Sequence, residues 1–246
     1  MSNLIRLIFI VVALILCFFV TIIEPFLQID PTEHGYDKVW LYRGAFTPQT
    51  LDLIKQEYKA GESKLVTEFG GITQKLKNRK HFFPDPDGAL HRALKHPEFV
   101  GRLEKTIGLP EGQALELSTA IKPEYRIYPV GGEMKWHRDT VLSRPAQYEV
   151  VITLNNSSDS QLLWRYRNRP GDINRADTSA NSVSVVRAGG IEHAVSPVTR
   201  GERVIIKAAY NVIKAEDQVP EDVGKGPPGN FPKLTTIPKH PVYNLF

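Results

Sequence analysis

Cysteine is almost missing from this chain: the single residue is Cys17, inside an apolar N-terminal run. One thiol allows no disulfide within the chain and excludes a cysteine-based zinc or iron–sulfur site. A strong charge imbalance is missing too. A net charge of +4 over 246 residues is too weak to imply nucleic acid, and no basic residues interleaved with aromatics stand out as a stacking platform. No nucleic-acid partner is therefore expected. Internal repeats are absent. With 41% hydrophobic residues, the chain has enough apolar material for one globular domain with extensions.

One long apolar run is present. From Leu7 to Ile23, LIFIVVALILCFFVTII carries no charge; Arg6 precedes it, Glu24 and Pro25 follow it, and Leu4, Ile5, Phe26 and Leu27 extend it. A membrane span needs about 20 apolar residues. A cleaved signal peptide has a shorter apolar region closed by small residues, and the flank IIEPFLQID has no such pattern. Residues 1–27 are expected to form a transmembrane signal-anchor, entering the membrane through residues 4–27, in preference to a cleaved signal or a buried core helix. Arg6 lies before the run, whereas Glu24, Asp30, Glu33 and Asp37 all come before Lys38. The bias of basic residues toward the cytosolic side predicts a single-pass protein with a cytosolic N-terminus. Its domain would then be lumenal (endoplasmic reticulum or Golgi) or otherwise non-cytosolic.

After a linker at 28–36, KVWLYRGAF alternates like a strand and TPQTLDLIKQEYKA reads as a helix. Thr47 suits its N-cap and Pro48 its first position; Leu51, Ile54 and Tyr58 share a face. Residues 74–97 are basic and irregular around the turn signal PDPDG. Lys75–His81 reads as a solvated loop, or as a lid over an acidic or extended substrate. PEFVGRLEKTIGL predicts a short helix ending near Gly108. From 115 onward, short apolar runs separated by turn residues predict an all-β sandwich or barrel. The expected fold is mainly β with flanking helices (α+β): a domain at 37–215 made of helical support at 37–112 and a β core at 113–215, with a Pro-rich extension at 216–246.

Within WHRDT, His137 and Asp139 are two apart, so on a strand both side chains face one side. His193 follows in AGGIEHAV, and Arg203 opens the apolar run VIIKAAY ten residues later. Two histidines and a carboxylate make a facial triad with adjacent metal positions left open. A nearby arginine can hold a substrate carboxylate through paired hydrogen bonds. Taken individually, the remaining polar residues have blander readings. His81, His91 and His96 suit the surface or turns. Trp136 suits the core, with a substrate-lining role as the alternative. Glu133 and Arg138 suit the mouth of a pocket or solvent. Arg187 and Lys207 read as structural, although Lys207 shares strand parity with Arg203 and so has a cosubstrate contact as its alternative. Asn155 and Asn156 each begin an Asn-x-Ser sequon.

These motifs resemble the Fe(II)/2-oxoglutarate-dependent dioxygenases, in their prolyl 4-hydroxylase and lysyl hydroxylase branch. That branch has His-x-Asp, then a distal His followed by Pro-Val and Gly-x-Lys or Gly-x-Arg. This chain offers His137-Arg138-Asp139, His193, Pro197-Val198 and Gly201-Glu202-Arg203, with Tyr128 in YPVGG nine positions before His137. The resemblance implies a double-stranded β-helix (jelly-roll, cupin-like) and a metal triad of His137, Asp139 and His193. It implies that Arg203 and Tyr128 hold 2-oxoglutarate. The implied cofactors are Fe(II), 2-oxoglutarate as cosubstrate and, as an option, ascorbate. The implied reaction is hydroxylation of a C–H bond while 2-oxoglutarate and O2 become succinate and CO2. Halogenating relatives lack the carboxylate that Asp139 supplies, so hydroxylation is the default. A peptidyl prolyl or lysyl substrate is the first expectation; a small metabolite, lipid or glycan is the alternative. An inactive binding module of the same fold, or a barrel using another metal, ranks below both. TLNNSSDSQLLW departs from the branch by lacking a glycine pair, with Trp164 near its aromatic position.

Overall fold

Thr47 accepts a hydrogen bond from the Thr50 amide at 3.1 Å, and Pro48 opens the helix behind it. That start signal sets helix α1 (Pro48–Gly61), preceded by strand β1 (Val39–Arg43). Ile54 is fully buried, with Leu51 and Tyr58 packed beside it against the core. The short strands β2 (Val66–Thr67), β3 (Leu76–Lys77) and β4 (Lys80–Phe82) follow, then helices α2 (Ala89–Lys95) and α3 (Pro97–Ile107). The remaining strands are β5 (Gln113–Leu117), β6 (Glu124–Tyr128), β7 (Glu133–His137), β8 (Tyr148–Asn156), β9 (Leu162–Tyr166), β10 (Arg169–Ala176), β11 (Ser182–Arg187), β12 (Glu192–Val195) and β13 (Arg203–Lys214). The computed structural model describes residues 33–68 and 75–217, and position 11.

The strands form two antiparallel sheets. The larger runs β1-β11-β8-β13-β6-β4-β2, with β5 beside the C-terminal half of β13; the smaller runs β10-β9-β12-β7-β3. Strands β6 to β13 alone make two four-stranded layers, β11-β8-β13-β6 and β10-β9-β12-β7. This interleaving is the jelly roll, in which the chain repeatedly crosses between facing sheets. The expected mainly β, double-stranded β-helix architecture is therefore present, with the helices on the outside of the larger sheet.

The pleat of β13 sorts its side chains. Val204, Ile206, Ala208, Tyr210 and Val212 join the main core under the helices. Arg203, Ile205 and Lys207 alternate with them and face the smaller sheet. On that inner side, Tyr128, Val198 and Ile205 form one apolar cluster and Leu162, Trp164, Val186 and Ile191 another.

Three expectations concern the ends. The anchor at 1–27 lies outside the described residues apart from Val11; among the described residues no helix is long and apolar enough to cross a membrane. Residues 33–36 of the expected linker are seated on the domain. The Glu33 carboxylate accepts from Arg187 at 2.6 Å and from the Ala146 amide at 3.0 Å, and His34 Nε2 donates to the Ile107 carbonyl at 2.7 Å. The reason is charge: Arg187 is buried, and a buried cation needs a partner. Of the expected C-terminal extension, Ala215–Asp217 forms a 3-10 turn and the rest lies outside the described residues.

Candidate metal and anion site

His137 ends β7 and stands directly opposite His193 on β12. The ladder slips between this pair and Val195–Met134, so two residues of β7, Lys135 and Trp136, oppose one of β12, Ala194. Such a bulge re-aims side chains beside a functional site; here it puts both Met134 and His137 on the inner face. The two rings lie 4.3 Å apart between centroids. Each points Nδ1 at a backbone carbonyl two residues earlier: Lys135 at 2.8 Å for His137 and Ile191 at 3.3 Å for His193. A carbonyl only accepts, so each Nδ1 carries hydrogen and each Nε2 is turned to the cavity.

Asp139 lies past the end of β7, so strand alternation is not what places it. Its carbonyl accepts from the Gly189 amide at 2.8 Å, which fastens this segment to the approach to β12. Its carboxylate lies 3.3 Å from His193 Nε2, 3.8 Å from His137 Nε2 and 3.3 Å from Lys207 Nζ. Ligand atoms of His137, Asp139 and His193 all fall within 4.8 Å of one another. The three side chains are only 10–13% exposed.

Burial sets the protonation pattern. It pulls His137 down to about 4, helped by the charge of His193 and opposed by Asp139. Burial also pulls on His193, but the Asp139 charge and hydrogen bond win and hold its proton above the usual range. Asp139 is itself held well below the carboxylate range despite burial, first by Lys207 and then by His193. Lys207, read as structural, also lies 3.4 Å from the buried Glu149, so it bridges two carboxylates at the floor of the site.

Arg203 and Tyr128 are register partners on β13 and β6, and both are almost fully buried. Arg203 Nε and Nη1 have no hydrogen-bond partner among the described residues. The Tyr128 hydroxyl accepts from Arg79 Nη1 at 2.8 Å, and Arg79 grips Glu68 through Nε at 2.6 Å and Nη2 at 2.5 Å. Arg79 was not singled out from the sequence, where Lys75–His81 read as a solvated loop or lid. Instead the run joins the two sheets: β3 pairs with β7, β4 pairs with β6, and Arg79 between them is buried.

The turn after Tyr128 needs its two glycines. Gly131 has φ +81°, and a Cβ at Gly132 would lie 2.8 Å from the Pro129 carbonyl oxygen. Gly131 N–H bonds the Val198 carbonyl at 2.8 Å and Gly132 accepts from the Val198 amide at 2.9 Å, tying this turn to the Pro197-Val198 segment.

A cavity of about 340 Å³ opens over the site, lined by residues that include Lys75, Met134, Arg138, Leu142 and Glu149 as well as His137, Asp139 and Lys207. Arg138 lines it, as the pocket-mouth reading expected, because the strand stops before Arg138 and alternation no longer turns it away. Trp136 is half-buried under Arg165, whose guanidinium carbon lies 4.4 Å from its ring, and belongs to no core cluster. Trp164 is buried opposite His193. His91 is half-buried and bonds the Asp85 carbonyl, and His96 caps α3, but His81 pairs with Glu124 at 2.6 Å. Glu68, His81 and Glu124 also cluster within 4.8 Å, yet Arg79 and Arg126 already neutralise both carboxylates. Asn156 spends its amide nitrogen on the Thr178 carbonyl at 2.8 Å, whereas Asn155 is exposed.

No protein-family model matches the chain, and no curated protein matches it significantly. Solved structures do. A prolyl-4-hydroxylase of Pseudomonas putida is 17% identical, with a TM-score of 0.54 over 73% of this chain and 93% of its own. The chain has the fold of the 2-oxoglutarate–Fe(II) oxygenases. An oxidoreductase of that oxygenase family from Burkholderia pseudomallei is 15% identical, with a TM-score of 0.52 over 73% of this chain and 85% of its own. A non-heme α-ketoglutarate-dependent epimerase of nogalamycin biosynthesis is 13% identical, with a TM-score of 0.55 over 79% of this chain and 88% of its own. The oxygenase fold is thus shared with enzymes of different reaction outcome, and fold alone does not choose among them.

Proposed function

We propose that this chain is an Fe(II)/2-oxoglutarate-dependent dioxygenase that hydroxylates a substrate C–H bond. The observation that carries the reading is Arg203: a buried guanidinium with two unpaired nitrogens, on the inner face of the larger sheet, opposite the smaller sheet whose strands β7 and β12 carry His137 and His193 of the imidazole–carboxylate cluster. A buried cation without a partner is costly, and a dicarboxylate cosubstrate would supply one. His137 and His193 would offer Nε2, and Asp139 an oxygen, to one dication. Two imidazoles and a carboxylate with adjacent positions open suit non-heme Fe(II). Bound iron with 2-oxoglutarate supplies the oxidising power, coupling its decarboxylation by O2 to succinate and CO2 with attack on the substrate. The chain's own residues bind, orient and shield. Nδ1 bonds to Lys135 and Ile191 fix both rings; Arg203 and Tyr128 hold the far carboxylate; Lys207, placed 3.3 Å from Asp139, balances charge at the floor.

A peptidyl prolyl or lysyl residue is the substrate we propose, supported by the motif layout of the hydroxylase branch; a small metabolite, lipid or glycan is the alternative, supported by the similar epimerase. We further propose membrane anchoring through the run at 4–27 with the domain on the non-cytosolic side; the support is the uncharged length of that run and the position of Arg6.

The test is succinate formation from 2-oxoglutarate by purified protein with Fe(II) and O2, without added substrate. His137→Ala and Asp139→Ala are each expected to abolish it. Turnover at the wild-type rate in either variant contradicts the assignment.

A further inference from the structure

We infer that Arg79, aimed by Glu68, is a positioning residue that fixes which way the Tyr128 hydroxyl points its proton, and so tunes affinity for 2-oxoglutarate. This rests on the cosubstrate reading above. A phenol oxygen can donate one hydrogen bond and accept others, whereas a guanidinium only donates. Arg79 Nη1 lies 2.8 Å from the Tyr128 oxygen, so the tyrosine must be the acceptor there. Its own O–H is left over, and no acceptor for it is found among the described residues. The strand partner of Tyr128 is Arg203, whose Nε and Nη1 are equally unmatched. Three donors on one inner face therefore await an acceptor, and a carboxylate is the ligand that takes several such bonds at once.

Arg79 is built to do this. Both oxygens of Glu68 hold it side-on, at 2.6 Å and 2.5 Å, which leaves Nη1 directed at Tyr128, with Met134 Sδ at 3.6 Å as its other neighbour. The guanidinium is buried and its ring-face distance to Tyr128 is 5.5 Å. A carboxylate or carbonyl in place of Nη1 would draw the Tyr128 proton inward and turn a lone pair toward the bound anion. Arg79 touches no reacting atom; it acts through Tyr128.

The experiment is a double-mutant cycle read by calorimetry, with 2-oxoglutarate titrated into Zn(II)-loaded protein, so that binding is measured without turnover. Wild type, Arg79→Met, Tyr128→Phe and the double variant are compared, with zinc affinity as the check that the triad is intact. Arg79→Met is expected to weaken 2-oxoglutarate about tenfold when Tyr128 is present, and by less than about twofold in the Tyr128→Phe background. If Arg79→Met does not fold, Glu68→Gln replaces it and the same dependence on background is expected. An equal loss in both backgrounds, or no loss in either, overturns the inference while leaving the cosubstrate reading intact. Failure of wild type to bind 2-oxoglutarate overturns both.

Discussion

Asp139 faces three groups that carry or can carry positive charge, and their competition decides how the site takes up a metal. His193 holds a proton against Asp139, while His137, near 4, does not. A metal needs both Nε2 lone pairs, so it must expel the His193 proton. Below the ordinary histidine range, at pH 6, binding of Zn(II) to the metal-free protein is therefore expected to release protons, and His193 is their source. The affinity should rise with pH until His193 has lost its proton, with no further contribution from His137 above about pH 5. Calorimetry in buffers of different ionisation enthalpy checks this; release of no proton at pH 6 contradicts the pairing. At the turn, Gly132→Ala would push a methyl to 2.8 Å from the Pro129 oxygen and 3.0 Å from Tyr128 Cα. A loss of about 1–3 kcal/mol in unfolding free energy is expected, measured by denaturant titration. Tolerance without loss would show that this backbone can move away.

The clustering of His137, Asp139 and His193 was legible in the sequence from spacing together with the resemblance it supports: Asp139 comes two positions after His137, and Arg203 ten positions after His193. What spacing does not reveal is how elements supply one another. The β7 bulge at Lys135–Trp136 resets parity, so strand alternation alone does not show Met134 and His137 on one face. Helix α2 has an apolar pattern in Leu90, Ala93 and Leu94, but its start carries no local side-chain cap; the Leu90 amide bonds Glu57 of α1 at 3.0 Å. Arg79 sits in a run of lysines and looks solvated until Glu68, brought alongside by β2–β4 pairing, closes on it. Helix α1, by contrast, starts on its own Thr47. Thr47→Ala is expected to cost about 1 kcal/mol of stability. Zinc affinity should stay unchanged, because the cap lies on the helix side of the larger sheet and the triad on the other. A matching loss of zinc affinity would mean the two layers are coupled.

At the scale of the whole molecule, the larger sheet separates two jobs. Its outer face packs the helices through an apolar core, and its inner face carries Arg203, Lys207, Glu149 and Tyr128 toward the smaller sheet. A cavity of about 340 Å³ is at the small end of ligand pockets. The jelly roll was legible as a succession of short strands; the substrate was not, because it depends on the few rim residues, Lys75, Arg138 and Leu142 among them, that no spacing rule reads. The central claim is that one ion and one 2-oxoglutarate share the site. Anaerobic addition of Fe(II) and then 2-oxoglutarate tests it most directly. A weak visible charge-transfer band should appear with wild type and be absent with Asp139→Ala; iron bound to wild type with no band at saturating 2-oxoglutarate would contradict the account.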